Sequence, residues 1–307
     1  MISRGYRFRL YATDEQETLF CQFAGTCRFV YNLALEQRRD WWRPFKANTG
    51  SVISYFSQNR ELTALRAEVD WIAAAPSVSL QYALRDLDRA YQNFFAGRAD
   101  YPTPRKRGEN DSFRFPGIRL HWRKLNAKWG MVFVPKIGEV KFRLTRDIPG
   151  KIKNVTVSLD ALGWHVVFIA EAEHEVPENF GPAVGIDRGV VHTLAMSDGT
   201  FRDMPRERLK LLDRRARKQA RKMAKCKRGS NRRTAARKML ARTKAKAARM
   251  RLQWNHERTT EIASTHGVVV IEALKTGNMT ASAAGTTAEP GRNVKQKAGL
   301  SRAISDR

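Results

Sequence analysis

Two acidic residues that end short apolar stretches are the side chains in this sequence best suited to metal chemistry. Asp187 follows Val184-Gly185-Ile186, and Glu272 follows the apolar run 268–271 about 85 residues later. A carboxylate within a strand pattern is expected to be buried, and burial disfavours its charged form unless a cation or hydrogen-bond donors compensate. Two strand-borne acids far apart in sequence can build a two-metal site. The alternative is two unrelated strand ends that simply reach water.

The chemistry that such a pair would support is phosphodiester hydrolysis. That reaction uses three or four carboxylates around two Mg²⁺ ions about 4 Å apart. Hard oxygen ligands favour Mg²⁺ or Mn²⁺, so no histidine or cysteine cluster is required. The three cysteines contain no CxxC pair, which predicts reduced thiols and no zinc site.

The net charge of the chain predicts a polyanionic partner. There are 57 Lys and Arg against 30 Asp and Glu, a net charge of +27, and residues 206–258 alone carry +19. Nucleic acid is the first expectation and an anionic membrane the second; a merely solvated basic hairpin is the alternative. The candidate nucleic-acid-binding residues are Arg105, Lys106, Arg107, Arg217, Lys218, Arg221, Lys222, Arg232, Arg233, Arg237 and Lys238.

The segments that must position these residues indicate a mixed α and β, multidomain chain. Residues 13–99 show helical spacing with an N-cap signal at Thr13, and their aromatic residues are expected in the core rather than as base-stacking platforms. Residues 1–12 and 100–180 alternate like the strands of a small antiparallel β-barrel or sheet. Residues 206–265 read as a helical hairpin broken at 229–231, after a hairpin turn at Asp198-Gly199. No apolar run is long enough to span a bilayer and no signal peptide is recognisable, so a cytoplasmic, nucleoid-associated location is expected.

Several stretches together resemble the TnpB family of transposon-encoded proteins. They include YRFRLYATDEQETLF, VGIDRGVVHTLAMSDG, the basic block from 214, VVVIEALKTGNMT and PGRNVKQKAGLSRAI. The resemblance implies an RNA-guided DNA endonuclease related to type V CRISPR effectors, with guide RNA and double-stranded DNA as partners. It also implies a wedge barrel (1–12 plus 100–180), a helical recognition module (13–99) and a RuvC-type, RNase H-like domain from 183. Asp187 matches the first RuvC acid and Glu272 the second, so both are expected to be catalytic and to bind Mg²⁺ or Mn²⁺.

The family pattern continues beyond what these 307 residues contain. In family members, a zinc ribbon and a third catalytic acid follow the segment that corresponds to GLSRAI (residues 299–304) of this sequence. The available carboxylates Asp198, Asp203 and Asp306 do not match the position of that acid. The sequence therefore reads as a C-terminally truncated copy with an incomplete RuvC domain and impaired cleavage. The open alternatives are a nuclease-dead RNA-guided repressor, an inert transposase remnant, and a DNA-binding transposase subunit that uses no RNA.

Overall fold

The computed structural model describes residues 1–42, 53–117, 121–173, 178–189 and 191–305. The chain forms two compact units, Met1–Glu175 and Val176–Arg307. Both contain helices and strands, which confirms a mixed α and β chain. Among the described residues, no helix is long and apolar enough to cross a membrane.

The first unit contains a seven-stranded antiparallel sheet. Its strands are β1 (Ile2–Tyr11), β2 (Ser112–Pro116), β3 (Trp122–Asn126), β4 (Trp129–Val134), β5 (Gly138–Arg143), β6 (Lys151–Asp160) and β7 (Gly163–Ala172). The order is β2-β6-β7-β1-β5-β4-β3. The N-terminal strand β1 is central, because it pairs with β7 along most of its length and with β5 through Leu10 and Tyr11. The prediction that this strand completes the sheet is confirmed.

The sheet of the first unit is open in the described part of the chain. No pairing there joins the edge strands β2 and β3, so the antiparallel sheet is confirmed and a closed β-barrel is not found.

In the described part of the chain between β1 and β2, the helices are α1 (Asp14–Trp42), α2 (Tyr55–Glu68), α3 (Asp70–Ala74) and α4 (Ser77–Phe95). Helix α1 starts where the sequence predicts, because Thr13 Oγ1 accepts the Gln16 N–H (3.3 Å) and Gln16 Oε1 accepts the Thr13 N–H (3.2 Å). This reciprocal cap satisfies two N–H groups that the helix leaves unpaired. The apolar faces of α1 and α4 share one core with the sheet, where the Phe20 ring lies 5.9 Å from that of Phe113 and 5.1 Å from that of Trp164.

The second unit contains a four-stranded sheet and a long helical hairpin. Its strands are β8 (Ala183–Asp187), β9 (Leu194–Met196), β10 (Phe201–Arg202) and β11 (Val268–Ile271), in the order β10-β9-β8-β11. Strands β8, β9 and β10 are antiparallel, while β11 runs parallel to β8. The helices are α5 (Arg206–Ala224), α6 (Asn231–Thr265), α7 (Thr276–Met279) and α8 (Val294–Ser305). The hairpin turn is as predicted, with Gly199 at φ +81° and Asp198 Oδ1 accepting the Thr200 N–H (2.8 Å).

Candidate active site

Asp187 and Glu272 lie at the same end of two neighbouring parallel strands. Ile186 of β8 is the register partner of Ile271 of β11, so each acid is the next residue along its chain. Paired residues of parallel strands project to the same face of the sheet, and successive residues alternate between faces. Asp187 therefore projects to the face opposite Ile186, which packs against Met196 and Ile262, and Glu272 follows directly after the last residue of β11.

Both acids are exposed to solvent. The expectation that Asp187 is buried within a strand is wrong, because Asp187 is the last residue of β8 and its side chain leaves the sheet where the apolar cover ends. The strand ending makes the carboxylate accessible to a ligand without the desolvation cost of an interior charge.

Hydrogen bonds between the segments that precede β8 and β11 hold these two strands in register. Asn179 Nδ2 donates to the carbonyl oxygens of Ala263 (2.8 Å) and His266 (3.0 Å), which ties the end of α6 to the segment before β8. The Gly267 N–H donates to Gly181 O (3.1 Å), and a Cβ on Gly267 would lie 2.2 Å from Asn179 O. Only glycine fits where these segments cross, so the crossing fixes where β11 begins.

The donor chemistry of the pair fits a hard divalent cation. Two carboxylates offer oxygen ligands of the kind that Mg²⁺ and Mn²⁺ prefer. Within the ranges that the structure describes, no group of three or more His, Cys, Asp or Glu side chains is arranged to hold a metal ion.

The carboxylate of Asp203 is part of a local hydrogen-bond network. Its Oδ1 accepts the Thr193 N–H (2.9 Å) and an Arg206 N–H (2.8 Å), while Oδ2 contacts His192 Nδ1 (2.9 Å). The hydrogen bond from His192, then that from the Thr193 backbone, lowers the pKa of Asp203 to about 2. This carboxylate joins the start of β9 to the start of α5. Asp198 holds the hairpin turn, and Asp306 lies outside the described residues.

The helical hairpin buries a narrow apolar seam and exposes most of its cations. Ala236 and Thr243 of α6 are buried, and the Thr243 hydroxyl donates to Gln219 Oε1 (2.8 Å) of α5. The other apolar residues along the seam are half-buried: Leu209, Leu212, Ala216, Ala220 and Met223 of α5, and Leu240, Ala247 and Met250 of α6. Of the candidate nucleic-acid-binding residues on the hairpin, those with exposed side chains are Arg217, Lys218, Arg221, Lys222, Arg232, Arg237 and Lys238.

Arg233 and Arg105 have structural partners that the sequence does not reveal. Arg233 is half-buried and donates to Met223 O (3.0 Å) and Cys226 O (3.2 Å) at the end of α5. The Arg105 guanidinium lies 3.9 Å from the Tyr31 ring centroid and donates to Asp86 (3.0 Å). Lys106 and Arg107, beside it, are exposed.

An apolar cavity of about 430 Å³ lies in the second unit. Ile186, Ile271 and Trp254 are among its lining residues, with Arg188 and Arg258 as its charged members. Ile186 and Ile271 are a register pair of parallel strands, so their side chains lie on one face of the sheet and line the cavity together.

Two family models match the chain. A model described as OrfB_IS605, "Probable transposase", matches residues 166–283, and one described as "Helix-turn-helix domain" matches residues 1–46. In the described part of residues 1–46 the structure is β1 followed by the single helix α1.

Curated relatives match nearly the whole chain. The "Putative RNA-guided DNA endonuclease InsQ" of Escherichia coli (strain K12) is 36% identical over 311 residues, which cover 99% of this chain and 74% of that protein. A "Putative RNA-guided DNA endonuclease" of Streptomyces pristinaespiralis is 30% identical over 312 residues, covering 99% of this chain and 71% of that protein. A solved structure, "Cryo-EM structure of the Cas12f1-sgRNA-target DNA complex", matches with a TM-score of 0.37 and 12% identity over 99% of this chain and 81% of that chain.

Proposed function

The chain belongs to the TnpB family of transposases and RNA-guided DNA endonucleases, and on that premise we propose that it binds guide RNA and double-stranded DNA and carries its cutting centre at Asp187 and Glu272. The observation that carries the proposal is the parallel register of β8 and β11, which brings together two acids that are 85 residues apart in sequence. Unrelated strand ends would have no reason to follow directly after the two members of one register pair, Ile186 and Ile271.

Asp187 and Glu272 would together hold a divalent cation, Mg²⁺ or Mn²⁺. Such a cation, when bound, supplies Lewis acidity for phosphodiester hydrolysis. The contribution of the chain is positional: the carboxylates follow the C-terminal ends of two strands whose starts are joined by the hydrogen bond from the Gly267 N–H to Gly181 O. Both carboxylates face solvent, so a phosphodiester can approach them from outside the sheet.

The hairpin of α5 and α6 would supply the phosphate contacts. Arg214, Lys218, Arg221 and Lys222 are exposed and recur at spacings of three and four residues, so they form one stripe on α5 opposite its packed face. A helix of 19 residues is about 28 Å long. Along that length a duplex carries on the order of 16 phosphates, enough to engage every cation of the stripe.

The wedge, recognition and RuvC-type divisions are part of the proposal. The pairing of β1 with β5 and β7 supports a split sheet module formed by residues 1–12 and 100–180, with the helices of 13–99 inserted between them. The order of three antiparallel strands, a helical hairpin and a parallel fourth strand supports an RNase H-like domain from residue 183.

The residues that the structure describes support nucleic-acid binding more fully than they support cutting. Two carboxylates hold and orient metal less well than the three or four that two-metal hydrolysis uses. The second candidate function is nuclease-dead, RNA-guided DNA binding, as in a repressor. It is favoured by the structural role of Asp203, whose oxygens are taken by Thr193, Arg206 and His192.

The test is metal-dependent cutting of a DNA that matches the co-purified RNA. Slow cutting in Mg²⁺ or Mn²⁺ is expected, and it is lost in Asp187→Asn and in Glu272→Gln. Asp213→Asn, which removes an exposed acid of α5, is the matched control and retains the wild-type rate. Cutting that survives Asp187→Asn would refute the site, and a chain that carries RNA but never cuts would favour the second candidate.

A further inference from the structure

Aromatic and basic side chains cover part of the outer face of the sheet in the first unit. Phe8 and Leu10 of β1, and Phe142 of β5, point into the core. Because strand residues alternate between faces, their neighbours point outward. The outward cluster, called here the Trp129 face, comprises Arg9, Tyr11, Trp129, Lys141 and Arg143.

The Trp129 ring is the centre of this cluster. Lys141 Nζ lies 4.3 Å from the ring centroid and the Arg143 guanidinium carbon 5.0 Å from it. The exposed Tyr11 ring lies 4.9 Å away at an interplanar angle of 80°, and the Arg9 guanidinium carbon is 5.5 Å from the Tyr11 centroid. Cations placed over aromatic faces hold the rings in fixed orientations at the surface.

The charge of the Trp129 face is positive and uncompensated. In the part of the chain that the structure describes, Arg9, Lys141 and Arg143 form no ion pair with a carboxylate. Glu139, an acid on the same side of β5, is engaged by Arg123, which donates to both carboxylate oxygens (3.1 and 2.9 Å). A sheet surface built only for stability places opposite charges across strands, so three unpaired cations around two rings indicate an anionic partner.

We propose that the Trp129 face binds unpaired RNA, with bases stacking against Trp129 and Tyr11 and phosphates contacting Arg9, Lys141 and Arg143. Single-stranded nucleic acid is recognised by this combination of basic groups and aromatic rings. Duplex bases are already stacked on one another, so a duplex would use the cations but not the rings. The choice of RNA rests on the proposed function, in which RNA is the permanent partner; the 2′-hydroxyl adds a further group for the basic side chains.

The experiment is photocrosslinking of the full chain, freed of co-purified nucleic acid, to a 12-nucleotide oligouridylate that contains 4-thiouridine. Crosslinked peptides are identified by mass spectrometry. Peptides that contain Tyr11 or Trp129 are expected to carry ribonucleotide, and Trp129→Leu is expected to reduce this yield at least fivefold. Trp129→Phe, which keeps a ring, restores it, and Trp71→Leu, which changes an exposed tryptophan that contacts Phe29, leaves it unchanged.

Lys141→Glu reverses the charge of an exposed side chain without removing any core side chain, and it is also expected to reduce the yield. Equal crosslinking of a duplex RNA, stronger crosslinking of the deoxy oligonucleotide with the same bases, or yields unaffected by Trp129→Leu and Lys141→Glu would each overturn the proposal. DNA cutting that depends on Asp187 is a separate readout, so failure of the Trp129 face and failure of the proposed function are distinguishable.

Discussion

Removing the cationic stripe of α5 should flatten the salt dependence of nucleic-acid binding. The change is the fourfold replacement Arg214→Ala, Lys218→Ala, Arg221→Ala and Lys222→Ala. All four side chains are exposed and lie opposite the face of α5 that packs on α6. Alanine is a stronger helix former than either residue, so the helix itself is retained.

The magnitude follows from counterion release. Each phosphate neutralised on a duplex contributes about 0.9 to the slope of log affinity against log salt concentration. If all four cations contact phosphates, the slope falls by about 3.6. If the plots of log affinity against log salt concentration for the wild type and the variant meet at 1 M salt, the variant binds roughly 300-fold more weakly at 0.2 M salt.

The assay is fluorescence anisotropy of a labelled duplex from 0.1 to 0.5 M salt, with helicity checked by circular dichroism. The matched control is Glu207→Ala with Asp213→Ala, which removes two exposed acids of the same helix. This control should bind at least as tightly as the wild type, because it removes repulsion. A fourfold variant with an unchanged slope would show that the hairpin is only a solvated surface.

Three further predictions concern stability. Arg233→Ala should lower the free energy of unfolding by about 1.5 kcal/mol in urea titration, because the Met223 and Cys226 carbonyls lose a charged donor; an effect no larger than that of Arg232→Ala would contradict this. Gly130→Ala should cost about 1–3 kcal/mol, since the new Cβ would lie 2.5 Å from the Phe142 ring, whereas Gly277→Ala, with open space around it, should cost far less. The lowered pKa of Asp203 contributes stability that is present above about pH 4 and is lost as pH falls towards 2; solvent screening limits it to a few tenths of a kcal/mol. Asp203→Asn should therefore remove that part of the acid dependence of the melting temperature, and an unchanged profile would refute it.

The sequence predicts the elements of the site better than their pairing. The strands before Asp187 and Glu272, the turn at Asp198-Gly199 and the helical hairpin are local patterns, so they are recognisable from spacing and turn chemistry. The parallel pairing of β8 with β11 is not local, because residues 188–267 separate the strands. The exposure of Asp187 also depends on where the strand ends against its neighbours, which hydrophobic periodicity alone does not fix.

Basic residues show most clearly what sequence reasoning misses. Arg105 and Lys106 are adjacent in sequence, yet Arg105 stacks on Tyr31 and pairs with Asp86 while Lys106 is exposed. Arg232 and Arg233 differ in the same way, since only Arg233 reaches the carbonyls at the end of α5. A count of charges cannot separate a cation with an internal partner from one that is available to phosphate. The Trp129 face is not recognisable from the sequence, because its residues come from three strands and become neighbours only when these strands pair.

The most direct measurement of the central claim is Mn²⁺ binding to the chain, followed by the electron paramagnetic resonance signal of free Mn²⁺. It does not require cutting, so it tests the pairing of the acids by itself. The wild type is expected to bind Mn²⁺, and Asp187→Asn and Glu272→Gln should each weaken that binding at least tenfold. Replacing both acids should cost little more than replacing one, because the two carboxylates act on the same ion. Equal Mn²⁺ binding by the wild type and the double variant would contradict the claim that Asp187 and Glu272 form one metal centre.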